Sequence, residues 1–119
     1  MIIIDHLVKT FGTNYAVDDV SFEIKKGEVV GFLGPNGAGK STVMNIITGY
    51  LSSTSGTVKI DGIDVLENPL ATKKMVGYLP EQPPLYLDLT VEEYLGFTYE
   101  LKGCSYNREK HLREICEIV

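Results

Sequence analysis

The segment GPNGAGKST, residues 34–42, constrains this sequence more than any other feature. It follows the apolar residues 29–33 and leads into residues 43–47, which are mostly apolar. Residues 34–41 match the pattern G-x-x-x-x-G-K-[ST] of a phosphate-binding loop, whose mechanism requires a strand before it and a helix after it. The sequence therefore predicts a strand, loop and helix that together bind a nucleotide.

The residue types in this loop suit phosphate chemistry. Glycines let the backbone curl so that successive N–H groups face one concavity, and the positive end of the next helix attracts anions. The Lys40 ammonium would contact the β- and γ-phosphates, and the Ser41 hydroxyl would coordinate the Mg²⁺ that bridges them. Thr42 would bond an α-phosphate oxygen. The predicted nucleotide-binding residues are Gly34, Pro35, Asn36, Gly37, Ala38, Gly39, Lys40, Ser41 and Thr42.

The amino-terminal half of the sequence predicts an α/β fold. Apolar residues over 2–8 indicate one strand, and the alternation of apolar and polar residues over 20–24 supports a second, antiparallel strand over 17–24, with a turn between them. Residues 29–33 have the pattern of a strand that is buried on both faces. A helix over 41–50, with Gly49 near its end, is followed by a strand over 57–60 that ends in a turn.

The carboxyl-terminal half is predicted to be mainly helical. A short helix over 69–74 precedes a strand over 75–79, and prolines keep residues 80–89 in an extended loop. Thr90-Val91-Glu92-Glu93 is a capping box that begins one helix, and a second begins near Asn107. Because this last helix runs to Val119 without a stop signal, we interpret the domain as truncated.

Composition argues against several classes of function. The 119 residues carry a net charge of −5 and a pI near 4.9, so a basic surface for nucleic acid is not expected. The apolar runs are far shorter than the roughly 20 residues that cross a bilayer. The amino terminus lacks the basic flank and small-residue cleavage site of a signal peptide. We therefore expect a cytoplasmic protein without a nucleic-acid partner.

The segment YAVDDVSFEIKKGEVVGFLGPNGAGKSTVMNIITGYLSSTSGTVKIDG resembles the ATPase subunit of ATP-binding cassette (ABC) transporters, and the similarity runs from Ile2 to about Leu101. The resemblance implies a P-loop NTPase core of the ABC ATPase type, present in part. It assigns residues 1–30 to a mainly antiparallel β-region and 31–89 to a P-loop core portion with the Q-loop. Residues 90–119 would be the start of the helical subdomain.

The same resemblance implies further site residues. An aromatic residue about two dozen positions before the loop stacks on adenine in that family, and Phe11 matches it, with Tyr15 as the weaker alternative. Val17 matches the small apolar position beside the nucleotide. A glutamine contacts Mg²⁺ from the loop after the next core strand. Here the usual Pro-Gln order is changed, because Glu81 comes first; we favour Gln82 as a metal ligand with Ser41, and Glu81 stays an alternative.

The resemblance also implies the activity of the whole protein. It would bind ATP and Mg²⁺, dimerise with a second nucleotide-binding subunit, and hydrolyse ATP to drive transport through a separate membrane-spanning permease, at the inner face of the cell membrane. The family's hydrolytic groups, an apolar strand ending in Asp-Glu and a Leu-Ser-Gly-Gly-Gln signature, do not occur after Thr42. No catalytic residue is therefore assigned, and the chain by itself is predicted not to hydrolyse ATP.

Two alternatives to a transporter subunit stay open. They are a non-transport ABC-class ATPase and a nucleotide-binding or scaffold module without turnover. The missing carboxylate strand would normally lie beside residues 29–33. Its absence would leave an unpaired edge and an uncovered apolar face there. We therefore expect the chain to self-associate through this surface or to be marginally stable.

Overall fold

An antiparallel sheet forms most of the first of two units in the computed structural model, which describes residues 1–83 and 85–119. The first unit spans Met1–Tyr78 and the second spans Leu79–Val119. The elements of the first unit are β1 (Ile2–Phe11), β2 (Asn14–Ile24), α1 (Lys40–Ile47), β3 (Ser55–Ile60), β4 (Ile63–Asp64) and α2 (Pro69–Met75). Those of the second unit are α3 (Val91–Leu101) and α4 (Arg108–Ile118).

The sheet has the strand order β2-β1-β3-β4, and every pairing is antiparallel. The predicted turn between the first two strands is a tight hairpin that pairs Phe11 with Asn14. β3 and β4 are joined by Asp61 and Gly62, which have φ angles of 46° and 82°. Two successive positive φ angles define the turn whose twist matches that of a two-stranded ribbon. The predicted antiparallel β-region is confirmed.

The core lies between this sheet and α1. Side chains from one face of α1 share this core with side chains of β1, β2 and β3, as the 3.6-residue helical period allows. A Schellman motif ends α1, because the Gly49 and Tyr50 N–H groups donate to the Ile46 and Asn45 carbonyls. The buried apolar residues are Ile4, Leu7, Val17, Val43, Ile46, Ile47, Val58, Ile60 and Val65.

Two predicted strands are wrong. Residues 29–33 have no regular secondary structure, Val29 is fully exposed and Leu33 is 92% exposed. α2 extends to Met75, and residues 76–80 are not in a strand. A strand buried on both faces needs a ladder of backbone hydrogen bonds from its neighbours. Within residues 1–83 and 85–119, no strand pairs with either segment.

The second unit confirms the two predicted helix starts. The Thr90 Oγ1 accepts from the Glu93 N–H at 3.3 Å, and the Glu93 carboxylate accepts from the Thr90 N–H at 2.8 Å. Asn107 caps α4 by accepting from the Lys110 N–H at 3.0 Å. Each of these helices has 11 residues. Of the helices in the described parts of the chain, none is long and apolar enough to cross a membrane.

Candidate nucleotide-binding site

Residues 34–42 connect the exposed apolar segment to α1. Gly37 and Gly39 have φ angles of 83° and 82°, in the left-handed region that glycine enters without a Cβ penalty. Between them, the Ala38 N–H donates to the Pro35 carbonyl at 3.2 Å and closes a turn. The loop is therefore curled, as the mechanism of phosphate binding requires.

The amino terminus of α1 is open to an anion. Its N-cap residue is Gly39, which has no side chain to accept from the first N–H groups, and the first turn has no acidic residue. The first N–H groups of any helix lack partners inside the helix, and they carry its partial positive charge. A phosphate oxygen is an acceptor that would satisfy them.

Lys40 reaches back across the loop. Its ammonium nitrogen donates to the Gly34 carbonyl at 2.7 Å and to the Pro35 carbonyl at 2.8 Å. A lysine ammonium has three donor hydrogens, so one remains after these two bonds. The two carbonyls thus hold a positive charge at the amino end of the loop, where it can meet a phosphate group.

The loop lies directly against β2. A Cβ on Gly39 would clash with the Ala16 carbonyl oxygen and would lie 3.4 Å from Val17 Cγ2. Only glycine allows this approach. The structure places Val17, which is 5% exposed, behind the loop and within the core. The sequence-based role of Val17 beside the nucleotide stays a prediction.

Ser41 and Thr42 follow Lys40 in the first turn of α1. Ser41 is exposed and Thr42 is half-buried, so the Ser41 hydroxyl can be reached from solvent. Across residues 1–83 and 85–119, no group of three or more His, Cys, Asp or Glu side chains could hold a metal ion. Mg²⁺ takes most of its ligands from waters and substrate phosphates, so a single hydroxyl fits a metal that arrives with a nucleotide.

Phe11 is the last residue of β1, and its ring is 53% exposed. The Lys9 ammonium stands over this ring, 5.2 Å from its centroid, and donates to the Ser52 carbonyl at 2.7 Å. Tyr15, the alternative aromatic, is also exposed and lies opposite Thr10 in the hairpin. Both rings have free surface, and the assignment of adenine stacking to Phe11 stays a prediction.

Glu81 and Gln82 lie in a bend of the second unit, and both side chains are exposed. Two side chains that carry oxygen atoms thus follow Pro80 next to each other on the surface. Gln82 as a metal ligand, with Glu81 as its alternative, stays a prediction.

The sequence reasoning missed two contributors to this site. Lys9 lies two residues before Phe11 on the same strand, and residues at this spacing share one face of a sheet. That spacing could have signalled the contact. The Ala16 carbonyl contributes through its main chain alone, and its approach to Gly39 arises from tertiary packing that no sequence motif records.

Comparison with known proteins gives the class of this chain. The family model described as ABC transporter matches residues 17–118. The chain therefore belongs to the ABC transporter family.

Similar proteins from bacteria agree. The chain is 38% identical over 120 residues to an uncharacterized ABC transporter ATP-binding protein, YxlF, of Bacillus subtilis (strain 168). The match covers 100% of this chain and 39% of that protein. It is 42% identical over 106 residues to YbhF, a probable multidrug ABC transporter ATP-binding protein of Escherichia coli (strain K12), covering 87% of this chain and 18% of that protein. The chain thus spans well under half the length of these relatives.

Solved structures extend the agreement to the fold. An ATP-binding subunit of an ABC transporter matches with a TM-score of 0.81 and 32% identity, over 88% of this chain and 44% of that one. A dimeric bacterial ABC transporter cassette matches with a TM-score of 0.79 and 32% identity, over 96% of this chain and 53% of that one. The predicted fold class, an α/β P-loop NTPase of the ABC ATPase type present in part, is confirmed.

Proposed function

We propose that this chain binds MgATP at residues 34–42 and serves as the nucleotide-holding part of an ABC transporter ATPase subunit. The observation that carries the proposal is the Lys40 ammonium, which the Gly34 and Pro35 carbonyls hold at 2.7 and 2.8 Å. It meets the uncapped amino terminus of α1 in one curled loop. A cation that keeps one free donor and the N–H groups at an uncapped helix terminus are complementary to a polyphosphate.

Each residue of the loop has a distinct part in this binding. Main-chain N–H groups of the loop and of the first turn of α1 donate to the phosphate oxygens, and Lys40 adds a charge-assisted hydrogen bond. Ser41 would hold Mg²⁺, which when bound offsets negative charge on the β- and γ-phosphates. Thr42 donates to the α-phosphate. Phe11 stacks on adenine at the end of β1, and Val17 supports the loop from behind.

The transport role rests on the relatives. YxlF and YbhF are described as ABC transporter ATP-binding proteins, and one matched structure is a dimeric cassette. By analogy, the protein pairs with a second nucleotide-binding subunit and with a separate membrane-spanning permease at the inner face of the cell membrane. Another matched cassette is bound to ADP and phosphate, which supports nucleotide turnover as the activity of the class.

Hydrolysis requires groups that residues 43–119 do not supply. The sequence has neither the Leu-Ser-Gly-Gly-Gln signature nor an apolar strand ending in Asp-Glu. We propose that these groups belong to a longer protein and that the 119 residues alone bind ATP without cleaving it. The coding sequence after Val119 tests this: a stop codon, or a continuation without both motifs, would contradict the ATPase assignment.

The Lys40→Ala substitution tests phosphate binding. Removing the charge-assisted bond should weaken ATP binding by about 1.5 to 3 kcal/mol, roughly 10- to 150-fold, in isothermal titration calorimetry. Lys59→Ala is the matched control, because Lys59 is an exposed lysine on β3. Equal affinity for ATP in the wild type and the Lys40→Ala variant would remove the proposed role of the loop.

Competition between nucleotides tests the class. ATP should displace a bound fluorescent adenine nucleotide better than GTP does. The preference should be modest, because an aromatic ring stacks on any base. Equal or stronger competition by GTP would argue against an ABC-type ATPase and in favour of another phosphate-loop class.

The second proposed metal ligand can be tested through the dependence of ATP binding on Mg²⁺. Gln82→Ala should weaken ATP binding in the presence of Mg²⁺ and leave it unchanged in EDTA. Glu81→Ala is the matched comparison, since the two exposed side chains are adjacent. If only Glu81→Ala has the Mg²⁺-dependent effect, the metal role passes to Glu81.

A further inference from the structure

Lys9 contacts the ring that we propose to stack on adenine. Its ammonium nitrogen lies 5.2 Å from the centroid of the Phe11 ring, over one face. At this distance a cation is attracted to the negative face of an aromatic ring. One face of Phe11 is therefore occupied by Lys9, and the ring keeps 53% of its surface exposed.

The position of Lys9 is fixed from the other side by the segment after α1. Its ammonium donates to the Ser52 carbonyl at 2.7 Å. That segment is itself bound to β1, because the Thr54 N–H donates to the Val8 carbonyl at 2.8 Å. The Thr54 hydroxyl oxygen accepts from the Thr10 N–H at 3.0 Å. Lys9 thus has an anchored partner, and the charge stays over the ring.

We infer that Lys9 is a positioning residue for the nucleobase, which holds the Phe11 ring and leaves its opposite face to adenine. The inference rests on the proposed function. An exposed ring at a strand end would lose rotamer freedom on binding, and a ring that is already held loses less. The cation also draws electron density toward its own side, which makes the free face less repulsive to an electron-rich purine.

The experiment separates base binding from phosphate binding in the intact protein. The two probes are ATP and inorganic tripolyphosphate, which has the phosphates and lacks the base. Lys9→Met keeps most of the unbranched apolar part of the side chain and removes both its charge and its donors. This variant should weaken ATP binding by about two- to fivefold, the size of an exposed cation–π contact, and leave the affinity for tripolyphosphate unchanged. Lys9→Arg should retain the affinity for ATP, because the guanidinium keeps the charge and the donors.

A double-mutant cycle shows whether Lys9 acts through the ring. In the Phe11→Ala background, Lys9→Met should have no further effect on the affinity for ATP. Thermal midpoints check folding, and Lys9→Gln, which keeps a hydrogen-bond donor without the charge, replaces Lys9→Met if that variant is unstable.

Three results would overturn the inference. The first is that Lys9→Met weakens tripolyphosphate binding as much as ATP binding. The second is that Lys9→Met leaves the affinity for ATP unchanged. The third is that Lys9→Met weakens ATP binding in the Phe11→Ala background as much as it does in the wild type. Failure of the proposed function has a different signature, since the wild type would then bind neither probe.

Discussion

Two neighbouring apolar segments of the first unit differ in their partners. β2 pairs with β1 along most of its length, and its Val17 packs beneath the phosphate loop. Residues 29–33 follow soon afterwards and are richer in apolar residues than β2, yet Leu33 is 92% exposed and the segment joins no sheet in the described structure. Phe32 does make a contact, with a ring centroid 5.5 Å from that of Phe22 on β2.

The difference teaches what an apolar pattern can predict. It predicts that a segment gains free energy by burial, because apolar surface is removed from water. Whether burial occurs depends on a second surface and on neighbours for the backbone N–H and C=O groups. β2 has both in β1 and α1. Residues 29–33 lack them, although they lead into the loop whose geometry matches the sequence prediction.

A matched pair of leucines gives the sharpest test of this comparison. Leu7 of β1 is 0% exposed, and Leu7→Ala should lower the free energy of unfolding by about 2 to 5 kcal/mol through lost burial and a cavity. Leu33→Ala removes the same atoms from an exposed side chain and should change it by less than about 0.5 kcal/mol. Denaturant unfolding measures both. Similar losses for the two variants would mean that residues 29–33 are buried in solution.

Leu7 also shows where sequence reasoning reaches its limit. Ile4 and Leu7 are both buried, although residues three apart on a regular strand face opposite sides of the sheet. The register explains this, because β1 has one extra residue between Ile4 and Leu7, where His6 has a φ of 47°. A bulge of this kind moves later residues to the other face. Nothing in the residue types around His6 predicts it.

Other parts were predictable because their causes are local. The Thr90 and Glu93 capping box, the turn at Asp61-Gly62 and the curl around Gly37 all depend on residues close in sequence. The phosphate loop belongs to this group, so its curl and the helix that follows it were predictable, and the binding roles of its residues stay predictions. The strands predicted at 29–33 and 75–79 are wrong, because a strand needs a pairing neighbour and no described strand pairs with either segment.

The second prediction concerns the point where the phosphate loop contacts β2. Gly37→Ala and Gly39→Ala both place a side chain at a positive φ, which costs roughly 1 to 2 kcal/mol. Only at Gly39 would the new Cβ also meet β2, at the Ala16 carbonyl oxygen. Gly39→Ala should therefore reduce the free energy of unfolding and the affinity for ATP by more than Gly37→Ala does. Denaturant unfolding and calorimetry measure the two quantities, and equal effects would mean that the loop does not rest on β2.

The third prediction uses the exposed segment itself. We expect the wild-type chain to elute in size-exclusion chromatography with light scattering at a mass above that of the monomer, because residues 29–33 offer an uncovered apolar surface. Val29→Lys with Leu33→Lys should shift the chain toward monomer. Leu70→Lys, at another exposed leucine, on α2, is the control and should leave the mass unchanged. A compact, stable wild-type monomer would contradict the expectation.

The smallest expected effect concerns the pairing of β1 with β2, at the bulge around His6. His6 Nδ1 lies 2.7 Å from the Asp19 carboxylate, and the φ of Asp19 is also positive, at 48°. The hydrogen bond to Asp19 raises the pKa of His6 above its ordinary value, with smaller contributions from the charges of Asp19 and Asp5. A raised folded-state pKa means that protonated His6 favours the folded chain.

The resulting dependence on pH has a definite sign. The stabilisation is complete below the pKa of unfolded histidine, about 6.5, and disappears as the pH rises through the higher folded-state pKa. An NMR titration of the His6 ring should therefore give a midpoint above 6.5, and Asp19→Asn should lower it. Asp18→Asn is the control, because it removes a nearby charge and keeps the His6–Asp19 hydrogen bond. If Asp19→Asn leaves the midpoint unchanged, the hydrogen bond to Asp19 does not hold the bulge at His6, and the register of β1 and β2 there depends on backbone pairing and on packing around Leu7.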